Sequence, residues 1–286
     1  MTKRIITGAI LVVVVALAIC FKGWVLQTAL LAVMGLSMYE MIAAFKNKGI
    51  RPVQWPAYAF CLLSVLVLSA DVGSIKLNFG PEDLLIVLMG CMIAAMVAII
   101  LRGKVDFDAL VASVLPMLYP GLFYVCILRL ANMENRLIIT LSLTMTFFVP
   151  SMNDSFALLV GLKLGRHKLS PEISPKKTVE GAIGGLAASI GFGVLLPLLA
   201  ELIVTHVPAA QPYATPLPPL WSFAILGLVE GVLAQFGDLV ASLIKRHCGI
   251  KDFGKIFPGH GGVMDRMDGI LFASVACLLF FHLTGI

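Results

Sequence analysis

The sequence predicts an all-α fold: a polytopic integral membrane helix bundle of about nine transmembrane helices with a cytoplasmic N-terminus. Three observations carry that prediction. Hydrophobic residues make up 59% of the 286 and charged residues only 13%, where a soluble domain carries about 25% charged residues. The apolar residues gather in windows of about 20, the length a helix needs to cross a bilayer. Basic residues fall overwhelmingly on one side once those windows are threaded back and forth.

The windows run over roughly 5–21, 24–45, 54–70, 83–101, 109–130, 137–162, 181–206, 219–244 and 263–284. The first follows Lys3-Arg4 and lacks a cleavage site after Cys20, so it reads as a retained span, not a removed signal peptide. The third is short, and the fifth carries Pro116 and Pro120. With the N-terminus inside, 17 of the 21 lysines and arginines lie on the inner side, and only Lys22, Lys76, Arg129 and Arg136 lie outside. The net charge of +5 follows this topology rather than one exposed face, which excludes nucleic acid as a partner.

Two basic loops, 163–180 and 245–262, then share the cytoplasmic face, while the Pro-rich segment 207–219 is an uncharged outer connector. Residues 1–135, nearly free of polar side chains within their windows, form a framework and oligomer-contact region; residues 136–286 form the catalytic region. Gly181, Gly185, Ser189 and Gly193 repeat at a spacing that lets helices approach closely. The six cysteines are scattered singly with no C-x-x-C, as buried apolar side chains rather than disulfides or zinc ligands.

Chemistry concentrates between Ser242 and Asp268, where Lys245, Arg246, Lys251, Lys255 and Arg266 alternate with Asp252, Asp265 and Asp268. In the eighth window Glu230, Gln235, Asp238, Ser242, Lys245 and Arg246 share an arc of about 160° on a helix. A polar arc inside a membrane faces protein or water. Asp238 lies roughly 10 Å below the cytoplasmic helix end, Asn153 and Asp154 sit at similar depth, and Asp265 and Asp268 are one turn apart. Single carboxylates here could merely pair with Lys245 or Arg266 to hold helices together. Asp238, Asp265 and Asp268 together would repel one another unless a cation joined them, and hard oxygen ligands suit Mg²⁺ with substrate phosphates. Lys245, Arg246 and Lys251 complement a polyphosphate, and Gly261 and Gly262 beside His260 permit close approach of phosphate to a helix N-terminus. In the 163–180 loop, Ser174 reads as an N-cap with Pro175 at the first helical position, which puts Lys176 and Lys177 in a first helical turn; its length and proline spacing favour a defined lid over a solvated topogenic loop.

These residues closely resemble the bacterial phosphatidate cytidylyltransferases (CDP-diacylglycerol synthases). The family pattern S-x-x-K-R-x4-K-D-x-G-x2-F-P-x-H-G-G-x2-D-R-x-D is matched without a gap from Ser242 to Asp268, and a second family-like segment runs from Asn153-Asp154-Ser155 to Gly181. Leu158 and Val179 stand where the family often has an aromatic and a tryptophan. The resemblance implies transfer of CMP from CTP to phosphatidate, giving CDP-diacylglycerol and pyrophosphate, with Mg²⁺ as cofactor and a second cation as an option. It implies Asp238, Asp265 and Asp268 as metal ligands, acting with Lys245 and Arg266 in catalysis. Lys176, Lys177, Ser242, Arg246, Lys251, Asp252, His260, Gly261, Gly262, Asn153 and Asp154 would hold the substrates' phosphates. It further implies a homodimer in the inner membrane, drawing phosphatidate from the inner leaflet. Two rivals remain: a CTP-dependent polyprenol- or phytol-type lipid kinase, which the full D-R-x-D pattern disfavours, and a secondary transporter, whose sites sit nearer the bilayer midplane, commonly within inverted repeats.

Overall fold

The computed structural model describes residues 23–68, 81–256 and 261–286. Within them the chain is helix after helix: α1 (Trp24–Asn47), α2 (Trp55–Leu68), α3 (Pro81–Ile100), α4 (Phe107–Pro116), α5 (Phe123–Ala131), α6 (Arg136–Leu164), α7 (Val179–His206), α8 (Leu220–His247) and α9 (Met264–Thr284). Windows two to nine of the sequence reading each coincide with helix, and the first lies outside the described residues. Seven helical stretches are long and apolar enough to cross a membrane. The described part of α2, 14 residues, reaches about 21 Å, short of a hydrocarbon core of about 30 Å.

Long-range packing divides the chain into two units. One unit joins the described residues up to Asn132 to Lys245–Arg266; the other joins Met133–Ile244 to Met267–Ile286.

In the first unit α4 and α5 are one apolar stretch broken in the middle. Pro116 and Pro120 remove two backbone donors there, Tyr119 leaves helical geometry (φ −135°, ψ 115°), and a wide π turn over Met117–Leu122 carries the chain across. Asp106 caps α4 by accepting the Ala109 N–H at 2.8 Å. Helix α1 is held in rotation by the Ser37 hydroxyl against the Tyr124 hydroxyl, 2.8 Å apart and buried.

In the second unit α6 and α7 lie along one another. A side chain at Gly181 or Gly185 of α7 would run into the backbone oxygens of Ala157 or Asn153 on α6. Gly193 meets Gly227 of α8 in the same way, so the small-residue stripe read from the sequence is the buried face of α7. The described cysteines are all free thiols.

One local expectation is corrected. Ser174 and Pro175 do not begin a helix: Ser174–Thr178 is strand β2, paired antiparallel with β1 (Lys168–Ser170). The helix starts four residues later because Thr178 is the better cap, its Oγ1 accepting the Gly181 N–H at 3.1 Å. Glu180, in the first turn of α7, reaches back to the N–H groups of Arg166 (3.0 Å) and His167 (3.2 Å), which ties the hairpin base to the helix N-terminus. Lys176 and Lys177 therefore point to opposite faces of a strand rather than lying side by side on a helical turn.

Candidate functional site

The charged residues fall into a cluster in each unit. In the first, Phe253 and Gly262 both meet the carboxylate of Asp265. Its Oδ2 accepts the N–H groups of Phe253 (2.8 Å) and Gly262 (2.9 Å), and its Oδ1 takes the Lys245 ammonium at 2.8 Å. The pair is secluded: the two side chains are 11% and 4% exposed. The Lys245 ammonium also stands 5.5 Å from the centre of the Phe253 ring. Gly261 adopts φ +83°, a left-handed conformation that a side chain would strain. Arg246, Lys251, Asp252 and Arg266 are on the surface of this segment, Arg246 reaching the Ile250 carbonyl at 3.5 Å. His260 lies outside the described residues.

A residue that the sequence reading passed over joins this cluster. Glu40, in the middle of α1, is buried and accepts the N–H groups of Val263 (3.0 Å) and Met264 (2.8 Å) at the start of α9. A Cβ on Gly254 or Gly262 would overlap its carboxylate. The signal was available: between Trp24 and Phe45 the chain holds no charged residue except Glu40, and a lone carboxylate in a spanning helix is costly enough to demand a reason.

In the second unit the hairpin is fastened to α8. Lys177 pairs with Asp238 at 2.6 Å, both side chains about a quarter exposed, and also approaches the Gln235 carbonyl. Ser242, one turn along, donates to the other Asp238 oxygen at 3.3 Å. Where α8 crosses α9, Gly237 meets the main chain of Asp268 directly, so that Asp238 and the buried Asp268 flank one helix contact. Asn153 is fully buried and its amide is spent on packing. It donates to Ser189 Oγ (2.9 Å) and the Gly231 carbonyl (3.0 Å) and accepts from Gln235 (3.1 Å), which itself donates to the Ala182 carbonyl. Its neighbour Asp154 is exposed, as is Lys176. Glu230, assigned by periodicity to the same arc as Asp238, is enclosed beside the Cys277 thiol. The arc is thus part core and part site.

Among the described residues no group of three or more His, Cys, Asp and Glu side chains is gathered as a metal cage. The carboxylates of Asp238 and Asp265 each hold a lysine ammonium instead.

Two stretches of cationic and acidic side chains, each locked to a helix of membrane-spanning length, fit the handling of a phosphorylated substrate at a bilayer. Comparison with known proteins agrees. A model of the Cytidylyltransferase family matches residues 2–284. The chain belongs to the cytidylyltransferase family. Among its curated relatives is a protein of Bacillus subtilis (strain 168) named phosphatidate cytidylyltransferase, 31% identical over 276 residues, which covers 95% of this chain and 94% of that one. A second of the same name, from Staphylococcus saprophyticus, is 41% identical over 126 residues, 44% of this chain and 43% of its own. A third, phosphatidate cytidylyltransferase 5, chloroplastic, of Arabidopsis thaliana, is 29% identical over 285 residues, 92% of this chain and 67% of the relative. In this cytidylyltransferase the 242–268 pattern is therefore part of a similarity that runs the length of the chain.

Proposed function

We propose that this membrane protein is a phosphatidate cytidylyltransferase, joining CTP and phosphatidate into CDP-diacylglycerol and releasing pyrophosphate. One observation carries the reading. The gapless Ser242–Asp268 pattern holds its lysine and aspartate in a buried, hydrogen-bonded pair, within a chain aligned over 95% of its length with a protein of that name.

The chemistry asks little of a general base. The phosphate of phosphatidate is already anionic at neutral pH, so one of its oxygens attacks the α-phosphorus of CTP directly. The new bond forms between that oxygen and the α-phosphorus, and the bond from the α-phosphorus to the bridging oxygen breaks. Pyrophosphate leaves with the electron pair. What the protein supplies is position and positive charge. Lys177, Lys245, Arg246, Lys251 and Arg266 provide that charge; Lys176, Ser242, Asp252, His260, Gly261, Gly262, Asn153 and Asp154 shape the surroundings. Asn153 does so through the helix packing that aligns Gln235 and α8.

The donor set also fits a hard divalent cation. Asp238, Asp265 and Asp268 offer oxygen ligands only, and two of them carry a cationic partner that a metal ion would replace in charge. Mg²⁺, with room for a second cation, would be held by these three aspartates, and when bound it neutralises phosphate oxygens. The reading sets the N-terminus and both basic loops on the cytoplasmic face of the inner membrane, supported by the distribution of 17 of 21 basic residues. It also takes the enzyme as a homodimer, on the family resemblance.

The test uses detergent-purified protein with phosphatidate, Mg²⁺ and CTP labelled at the α- or the γ-phosphorus, a polyprenol being present as second acceptor. We expect α-label in lipid, pyrophosphate in solution, and both stopped by EDTA. Label from the γ-position in the polyprenol would make the protein a lipid kinase. No lipid label in a folded preparation removes the enzyme reading.

A further inference from the structure

We infer that Glu40 is a positioning residue for the reaction: a carboxylate carried by the framework helix α1 that latches the start of α9 and thereby aims Asp265 and Arg266. The inference rests on the cytidylyl-transfer reading above.

The start of α9 lacks a local cap. The residue before Met264 is Val263, whose side chain accepts no hydrogen bond. The N–H groups of Val263 and Met264 are satisfied instead by Glu40, 223 and 224 positions away in the sequence. A carboxylate at a helix N-terminus is favourable in charge, because the first N–H groups carry the positive end of the helix dipole. Burying it in a spanning helix is nevertheless expensive, whereas a serine or aspartate in place of Val263 would cap the same helix cheaply. The sequence uses the expensive solution.

That solution does something a local cap cannot. Each oxygen of Glu40 takes one N–H, Oε1 from Val263 and Oε2 from Met264, so the helix start is fixed in rotation as well as position. Asp265 and Arg266 follow immediately. Two glycines pack on the same carboxylate: Gly254 and Gly262 have no room for a Cβ against it. Two glycines of the 242–268 pattern thus answer to a residue on α1 more than 200 positions away. Ser37, one turn before Glu40, is held by Tyr124 and keeps this face of α1 turned inward. The framework region is thereby wired to the catalytic segment through one side chain.

The experiment compares wild type, Glu40→Gln, Glu40→Ala and Gly254→Ala in detergent, by kinetics, thermal unfolding and amide hydrogen exchange. Glu40→Gln keeps the shape and one acceptor oxygen. We expect its melting temperature to stay within about 3 °C of wild type. Its kcat should fall at least tenfold with KM for CTP changed less than threefold, and the Val263 and Met264 amides should exchange at least tenfold faster. Glu40→Ala should lose more kcat than Glu40→Gln, and Gly254→Ala should mimic Glu40→Gln by pushing a methyl group into the carboxylate. Unchanged exchange at Val263 and Met264 in Glu40→Gln would show that there is no latch. Faster exchange with unchanged kcat would show that the latch does not serve the reaction. A fall in kcat that merely tracks loss of folded protein across all three variants would reduce Glu40 to a structural role. Absence of α-label transfer in wild type would remove the functional reading, and with it the positioning role, while the exchange rates would still decide whether the latch exists.

Discussion

Lys245 and Asp265 make the sharpest quantitative case. Replacing Lys245 with Met removes the ammonium and leaves the Asp265 carboxylate only 4% exposed. Breaking a buried pair from one side costs about 3–5 kcal/mol. Asp265 keeps two backbone donors, Phe253 and Gly262, and hydrogen bonds to a charged group are worth about 1.5–3 kcal/mol each. Those two retained bonds put Lys245→Met at the lower end of the range, near 3 kcal/mol. Asp265→Asn strands the ammonium instead, with the Phe253 ring returning about 1 kcal/mol. The double variant buries no unpaired charge and should be less damaged than the two single losses predict, with a coupling of about 1.5–3 kcal/mol. The assay is equilibrium unfolding of the four proteins in mixed micelles by increasing SDS, read by circular dichroism. Stability is the right observable because both residues belong to the proposed catalytic set and activity would fall for either reason. Single losses that add up to the double within about 0.5 kcal/mol would refute the buried pair.

Three further outcomes follow from the same geometry. Asp238→Asn should lower kcat at least about a hundredfold, the scale of losing a group that stabilises transition-state charge, while the protein still elutes as a folded species; wild-type activity would remove Asp238 from the proposed metal set. Gly227→Val places a side chain against the backbone of Ser189 and Gly193 and should destabilise the α7–α8 crossing by about 1–3 kcal/mol, and an unchanged unfolding midpoint would contradict that contact. Burial pushes the Cys248 thiol up, with Lys48 opposing the shift. Less thiolate is then present at neutral pH, so alkylation by iodoacetamide should lag that of glutathione, whose thiol is fully solvated, and should still be rising above pH about 8.5; equal rates at pH 7 would show the thiol to be ordinary.

The helices were legible because their cause is local. Windows of about 20 apolar residues have one low-energy answer in a bilayer, and windows two to nine each coincide with helix. The break at Met117–Leu122 was announced by two prolines, and the inward face of α7 by its small residues. The error at Ser174-Pro175 has an equally physical origin. Serine followed by proline suits both a helix start and an extended strand, and the choice fell to the pairing of β2 with β1 and to the better cap at Thr178.

The sequence by itself determined that this chain is a membrane helix bundle, that its charge is gathered in 163–180 and 242–268, and that those residues follow the cytidylyltransferase pattern. Composition, periodicity and motif spacing are properties of the chain, and no folding is needed to read them. Only tertiary structure decided which carboxylates are core and which are site. Periodicity sets Glu230 and Asp238 on one arc, but burial depends on what packs against the arc, and that encloses Glu230 while leaving Asp238 to Lys177. The sequence marks Glu40 only as the lone charge of its window; tertiary structure alone showed what it holds, because its partners are backbone N–H groups, which every residue but proline carries.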